Sequence, residues 1–126
     1  SMTPAYLMTS AAVPKSQRIS GIVIDAREHA VDPSMSPEVI DMQGNLVYGT
    51  ISYSRSKAVN RGPVGYAYSM DDRNVSQRVG SNPLFVEAVG SLDDDVYITS
   101  MDAAKVREAE KSFGVLSNCR VMLLLQ

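Results

Sequence analysis

The chain has 126 residues, a formal net charge of −2, 44% hydrophobic and 21% charged residues, and one cysteine. That length and composition fit one globular domain with a core of its own, while the near-neutral balance holds no Lys/Arg block of the kind that tracks a phosphate backbone, so nucleic acid is not an expected partner. An intrachain disulfide is excluded, and no apolar stretch approaches the ~20 residues of a membrane helix.

Residues 1–17 combine Pro4 and Pro14 with small residues and no periodicity, which is linker composition. Ser1-Met2 has the look of a cloning remnant, so we expect one domain over residues 18–126, an arm before it, and a further segment upstream. Ile19, Ile22, Val23 and Ile24 crowd into a β-branched run with Asp25 and Arg27 at its exit. Such crowding predicts a central strand covered on both faces. Pro37 disfavours helix at Ser36, which makes 34–37 a loop. Residues 38–42 and 46–48 flank Gln43-Gly44-Asn45 and predict a hairpin, with 49–54 continuing its second strand.

Residues 55–61 form the most basic segment, a helical turn or a loop. Gly62 to Tyr68 reads as a glycine-punctuated strand or bend. A short helix is expected over 70–79, with Asp71 or Asp72 near its N-terminus and Gly80 to Pro83 ending it. Residues 84–89 form a strand, 90–95 a turn, and 96–99 its antiparallel partner. Ser100 caps a helix over 101–111, whose thin stripe of Ala103, Val106 and Ala109 suits a surface layer on a sheet. Glu108 and Lys111 pair along it, and Gly114 stops it. Residues 119–125 are a second interior run. Together these elements predict an α+β fold: a mixed, mainly antiparallel sheet of about six strands, with one or two helices packed on one face.

Asp25, Arg27, Glu28, His29 and Asp32 cluster at the end of the first strand. A carboxylate beside a histidine shifts its pKa and can make a base, and strand ends often carry sites. The simpler alternative is an Asp25–Arg27 ion pair that anchors the loop. Asp93-Asp94-Asp95 lacks the spaced oxygens of a calcium loop and reads as a solvated turn. No His/Cys spacing suits a metal, and no glycine-rich phosphate loop or nucleophile elbow occurs. We therefore expect no metal, no cofactor and no catalytic residue. Cys119 reads as a small buried hydrophobe.

The run GIVIDAREHAVDPSMSPEVIDMQGNLVYG (residues 21–49) resembles a segment of bacterial LPP20-like envelope lipoproteins. In that pattern a strand ending in DARG precedes a proline loop and an Asp-x-x-Gly hairpin closing on Tyr-Gly. The likeness continues in Gly65-Tyr66-Ala67, in residues 78–84, in 96–99 with Asp102-Ala103, and in Cys119-Arg120-Val121. Glu28-His29 departs from it, where the family often has Gly and an apolar residue. The resemblance implies the C-terminal domain of such a lipoprotein, behind a Pro/Ala-rich linker like residues 3–17. Relatives of the lipoprotein module include outer-membrane components associated with the flagellar motor.

The expectation is then a non-enzymatic module, periplasmic or associated with the outer membrane, acting by protein–protein contact or self-assembly. Its partners would be envelope proteins or copies of itself, and its only hold on a membrane an upstream lipid anchor. The alternative is a small-ligand or peptidoglycan-fragment binder using Asp25, Arg27, His29 and Asp32, with Arg55 and Lys57 contributing charge.

Overall fold

Two four-stranded sheets, eight strands in all, meet over one core in the computed structural model, which describes residues 17–126. The expected arm lies outside the described residues except for Gln17. In chain order the strands are β1 (Ile22–Asp25), β2 (Val39–Asp41), β3 (Leu46–Tyr48), β4 (Gly65–Ala67), β5 (Leu84–Glu87), β6 (Gly90–Leu92), β7 (Asp95–Ile98) and β8 (Val121–Leu124). The helices are α1 (Arg55–Arg61), α2 (Arg73–Val79) and α3 (Ser100–Phe113). The first sheet runs β4-β8-β1-β5 with every pairing parallel. The second runs β3-β2-β7-β6, with β2 and β7 parallel and the outer pairs antiparallel.

β1 is the central strand that its β-branched run predicts, and the strand period assigns its two faces. Ile22 and Ile24 enter the main core with Val121 and Leu123 of β8, Val39, Val96 and Ile98 of the second sheet, and the stripe Ala103, Val106 and Ala109 of α3. Val23 faces the other way and packs with Met122, Leu124, Ala67, and Val75 and Val79 of α2. At Gly21 any Cβ would lie 2.6 Å from the Val79 Cα, so only glycine lets the end of α2 sit this close to the entry of β1.

The α+β class holds, but the sheet differs from the expected one. Parallel pairings outnumber antiparallel ones, the strands divide into two sheets, and the described residues hold three helices. α2 and α3 lie on opposite faces of the first sheet rather than on one. The error began with the assumption that strands close in sequence pair as hairpins. β5 instead bonds β1, with Leu84 N–H donating to Gly21 O and Ala88 N–H to Asp25 O, both at 2.9 Å. One residue on, Val89 N–H donates to Tyr97 O at 2.7 Å. The chain thus changes sheets between Ala88 and Val89, and residues 90–92 form strand β6 where a turn was expected.

Other departures are local. Residues 50–52 coil into a 3-10 turn, with Ser52 N–H on Gly49 O at 2.8 Å and Gly49 N–H on Ser52 Oγ at 3.0 Å, instead of extending β3. Thr99, not Ser100, caps α3, its Oγ1 accepting Asp102 N–H at 3.0 Å. The ion pair on α3 is Asp102–Lys105, at 4.0 Å, rather than Glu108–Lys111. The β2–β3 hairpin, the short helix α2 behind Asp72, the stop at Gly114 (φ 66°) and the buried strand β8 follow the sequence reading.

Candidate functional site

β1 delivers Asp25 to the carboxyl end of the parallel sheet, and Ala26 N–H then bonds Leu124 O at 2.9 Å before the chain turns. Within that turn the Asp25 carboxylate takes Arg27 Nε and Nη2, each at 2.9 Å, and Arg27 N–H at 3.1 Å. This fork holds the Asp25 carboxyl below its ordinary pKa and raises that of Arg27. His29 Nε2 lies 3.1 Å from Ala88 O. A carbonyl only accepts, so Nε2 carries the proton and the ring ties the turn to the end of β5. Gln126 Nε2 adds bonds to Arg27 O and His29 O, at 3.3 and 3.0 Å.

A cavity of about 240 Å³ opens here, lined by Asp25, Arg27, Glu28, Glu87 and Ala88. It holds three carboxylates and one guanidinium, and that guanidinium is already committed to Asp25. The structure therefore unites Asp25 with Arg27 and uses His29 as a brace on one wall. Asp32 bonds through its backbone N–H to Asp93 O at 2.8 Å, while Arg55 and Lys57 ride on α1; none of these three lines the cavity. Ser34 Oγ on Asp94 Oδ2 at 2.6 Å, and Glu38 N–H on Asp95 Oδ1 at 2.9 Å, show the aspartate run stapling the 34–38 loop. Among the described residues no group of three His, Cys, Asp or Glu side chains is arranged to hold a metal.

A second cavity, of about 390 Å³, lies beside α2, and its lining includes Arg61, Asn74, Gln77 and Arg78. Arg78 Nη1 donates to Gly62 O at 3.0 Å and to Cys119 O at 2.9 Å, and its Nη2 donates to Arg61 O. Burial, reinforced by the neighbouring Arg61, pushes the Arg78 pKa down. Cys119 is buried, as expected, with its backbone at φ 57° in the turn before β8, where Arg78 grips its carbonyl.

The family model described as Treponema pallidum Tp0624, second domain, matches residues 21–126. The chain belongs to that family. The match begins at Gly21, the residue against which α2 closes, and takes in every strand and helix described above. A bacterial domain family agrees with the bacterial setting that the resemblance implies. Comparison with curated proteins gives no match. In this member of the Tp0624 second-domain family, sequence reasoning missed Arg78, Asn74 and Gln77. The available signal was their spacing, which puts 74, 77 and 78 on one helical face next to the one buried through Val75 and Val79.

Proposed function

We propose that this domain is a non-enzymatic module of a bacterial envelope protein, acting by protein–protein contact in which a second copy of the chain adds to the edge at β5, where no further described strand pairs. The observation that carries the reading is that edge. Leu84 and Ala88 bond toward β1, so by the two-residue strand period the N–H and C=O of Phe85 and Glu87 point away from the sheet. Phe85, paired with Val23 and 43% exposed, offers apolar surface on one face. On the other face Leu84 borders an apolar groove with Ile19, Ala104, Ala109 and Phe113. An added strand would gain backbone bonds along the edge and apolar contacts on both faces. β5 itself presents the alternation it would receive, so a two-fold pairing is self-complementary.

The LPP20-like resemblance supports the envelope setting, and the bacterial family match is compatible with it. In this reading the domain works in the periplasm or at the outer membrane, held by an upstream lipid anchor and connected to flagellar or other envelope machinery. No helix among the described residues is long and apolar enough to cross a membrane. A ligand site at Asp25, Arg27 and His29 has less in its favour, because the Arg27 fork is closed on Asp25.

Sedimentation velocity over a concentration series tests the contact. The wild type is expected to dimerise with rising concentration, and Phe85→Lys to stay monomeric with an unchanged far-UV spectrum. A wild type that remains monomeric at millimolar concentration overturns self-pairing. Labelled-palmitate incorporation with cell fractionation, on the native full-length protein, tests the compartment: label in the outer-membrane fraction supports it, and an unlabelled cytoplasmic protein refutes it.

A further inference from the structure

The cavity beside α2 differs in charge from the one at the end of β1. Its lining carries two guanidinium groups, Arg61 and Arg78, and no carboxylate. Arg78 is half-buried and makes no ion pair among the described residues. Its three acceptors are all neutral backbone carbonyls. Those carbonyls fix the plane of the guanidinium without cancelling its charge, which is the pre-organised state of an anion-recognition fork. Its Nε–H has no acceptor among the described residues, and it stands at Gly65, where any Cβ would lie 2.6 Å from Nε and 2.7 Å from Met122 Cε. Glycine at this position lets the Arg78 side chain lie directly against β4 and so sets where the guanidinium stands in the cavity.

The remaining lining narrows the anion. Asn74 and Gln77 are exposed primary amides on the same helical face as Arg78, and each can both donate and accept. A peptide group presents one donor and one acceptor and so matches such an amide, whereas a bare phosphate leaves the amide oxygens largely unmatched. Tyr66 and Met122 add apolar surface for a side chain, and the Tyr66 hydroxyl is held by Ser34, donating to its O at 2.7 Å and accepting from its N–H at 3.0 Å. A volume of about 390 Å³ lies at the small end of the roughly 300–1,000 Å³ usual for ligand pockets. We propose that this cavity binds the free carboxylate end of a short peptide, with Arg61 and Arg78 on the carboxylate and Asn74 and Gln77 on the last peptide groups. The site is separate from the β5 edge and does not depend on pairing there.

The test is an NMR titration of the isotope-labelled domain with N-acetyl-alanyl-alanine, with its C-terminal amide, and with inorganic phosphate. The free acid should shift the backbone resonances of Gly65, Gln77 and Arg78 and the Arg78 Nε–H signal. The amidated peptide should bind about tenfold more weakly, the loss expected for removing a charge-assisted hydrogen bond, and phosphate should also bind more weakly than the acid. Arg78 supports three carbonyls, so its variants risk unfolding; Arg61→Gln is the deciding substitution and should weaken the acid about tenfold with the spectrum otherwise intact. Four results would each overturn the proposal: no shift with the acid in the millimolar range, equal binding of the amide, phosphate binding as tight as the acid, or unaltered affinity in Arg61→Gln.

Discussion

Asp41 is a buried carboxylate that joins three separate parts of the fold. Its Oδ1 accepts Gln43 N–H and Asn45 N–H, both at 2.9 Å, and its Oδ2 accepts Arg107 Nη2 at 3.2 Å. The same Nη2 donates to Leu46 O at 3.1 Å, so one side chain closes the β2–β3 turn and pins α3 to it. The Asn45 N–H does most to hold the Asp41 carboxyl below its ordinary pKa, with burial opposing and Gln43 and Arg107 assisting. Asp25 is lowered as well, chiefly by the Arg27 side chain. A carboxyl depressed in the folded state contributes stability that is complete above the unfolded pKa of about 3.9 and is lost as pH falls through the folded value. Thermal unfolding followed by circular dichroism should therefore show the midpoint falling as pH drops below about 4. Asp41→Asn should melt lower at neutral pH and show a shallower acid slope; an unchanged slope would remove Asp41 from this account. The hairpin around Asp41 was legible because its signals are adjacent in sequence. Arg107 was not, since it lies 66 positions away and no local pattern connects them. The candidate sites divide in the same way: Asp25 and Arg27 pair two residues apart, whereas Arg78 reaches carbonyls 16, 17 and 41 positions distant.

Elements follow the same rule. β1 and β8 announced themselves through apolar runs, and α3 through its stripe, because burial on a known face leaves a period in the sequence. β6, with the sequence Gly-Ser-Leu, has no such period; it is a strand only because β7 lies beside it, pairing Ser91 with Val96. α2 is the instructive intermediate. Asp71 or Asp72 was expected near its N-terminus as a dipole partner, and the structure makes Asp72 its N-cap, whose carboxylate accepts Asn74 N–H at 2.9 Å. α2 covers the Val23 face of the first sheet and carries Arg78, so the cap supports both packing and the second cavity. Asp72→Ala should cost about 1 kcal/mol in denaturant unfolding. Hydrogen exchange should quicken most at the α2 amides and little at α3. Equal acceleration in both helices would mean that the cap acts on global stability and not on α2 itself.

At the scale of the molecule, the order β4-β8-β1-β5 joins strands that are far apart in sequence, and a parallel pair needs a crossover that leaves no turn signature. Local reading therefore yielded hairpins where the chain makes crossovers, and one sheet where there are two. What unites the two sheets is the main core: Ile22 and Ile24 of β1, Val39 of β2, Val96 and Ile98 of β7, and Ala103, Val106 and Ala109 of α3 belong to one contiguous cluster. The backbone also passes from the first sheet to the second within the step from Ala88 to Val89, so at that crossing β5 and β6 are coupled with no linker between them. Such a layout should unfold in a single cooperative transition. Ile98→Ala, placed wholly in the second sheet, provides the test, because it removes a fully buried side chain at a cost of about 2–5 kcal/mol. Amides of β1 and β8 in the first sheet should lose protection by the same free energy as those of β7, and far-UV and near-UV transitions should coincide. If β1 and β8 kept wild-type protection while β7 lost it, the sheets would be separate folding units, and the core between them an interface and not a common interior.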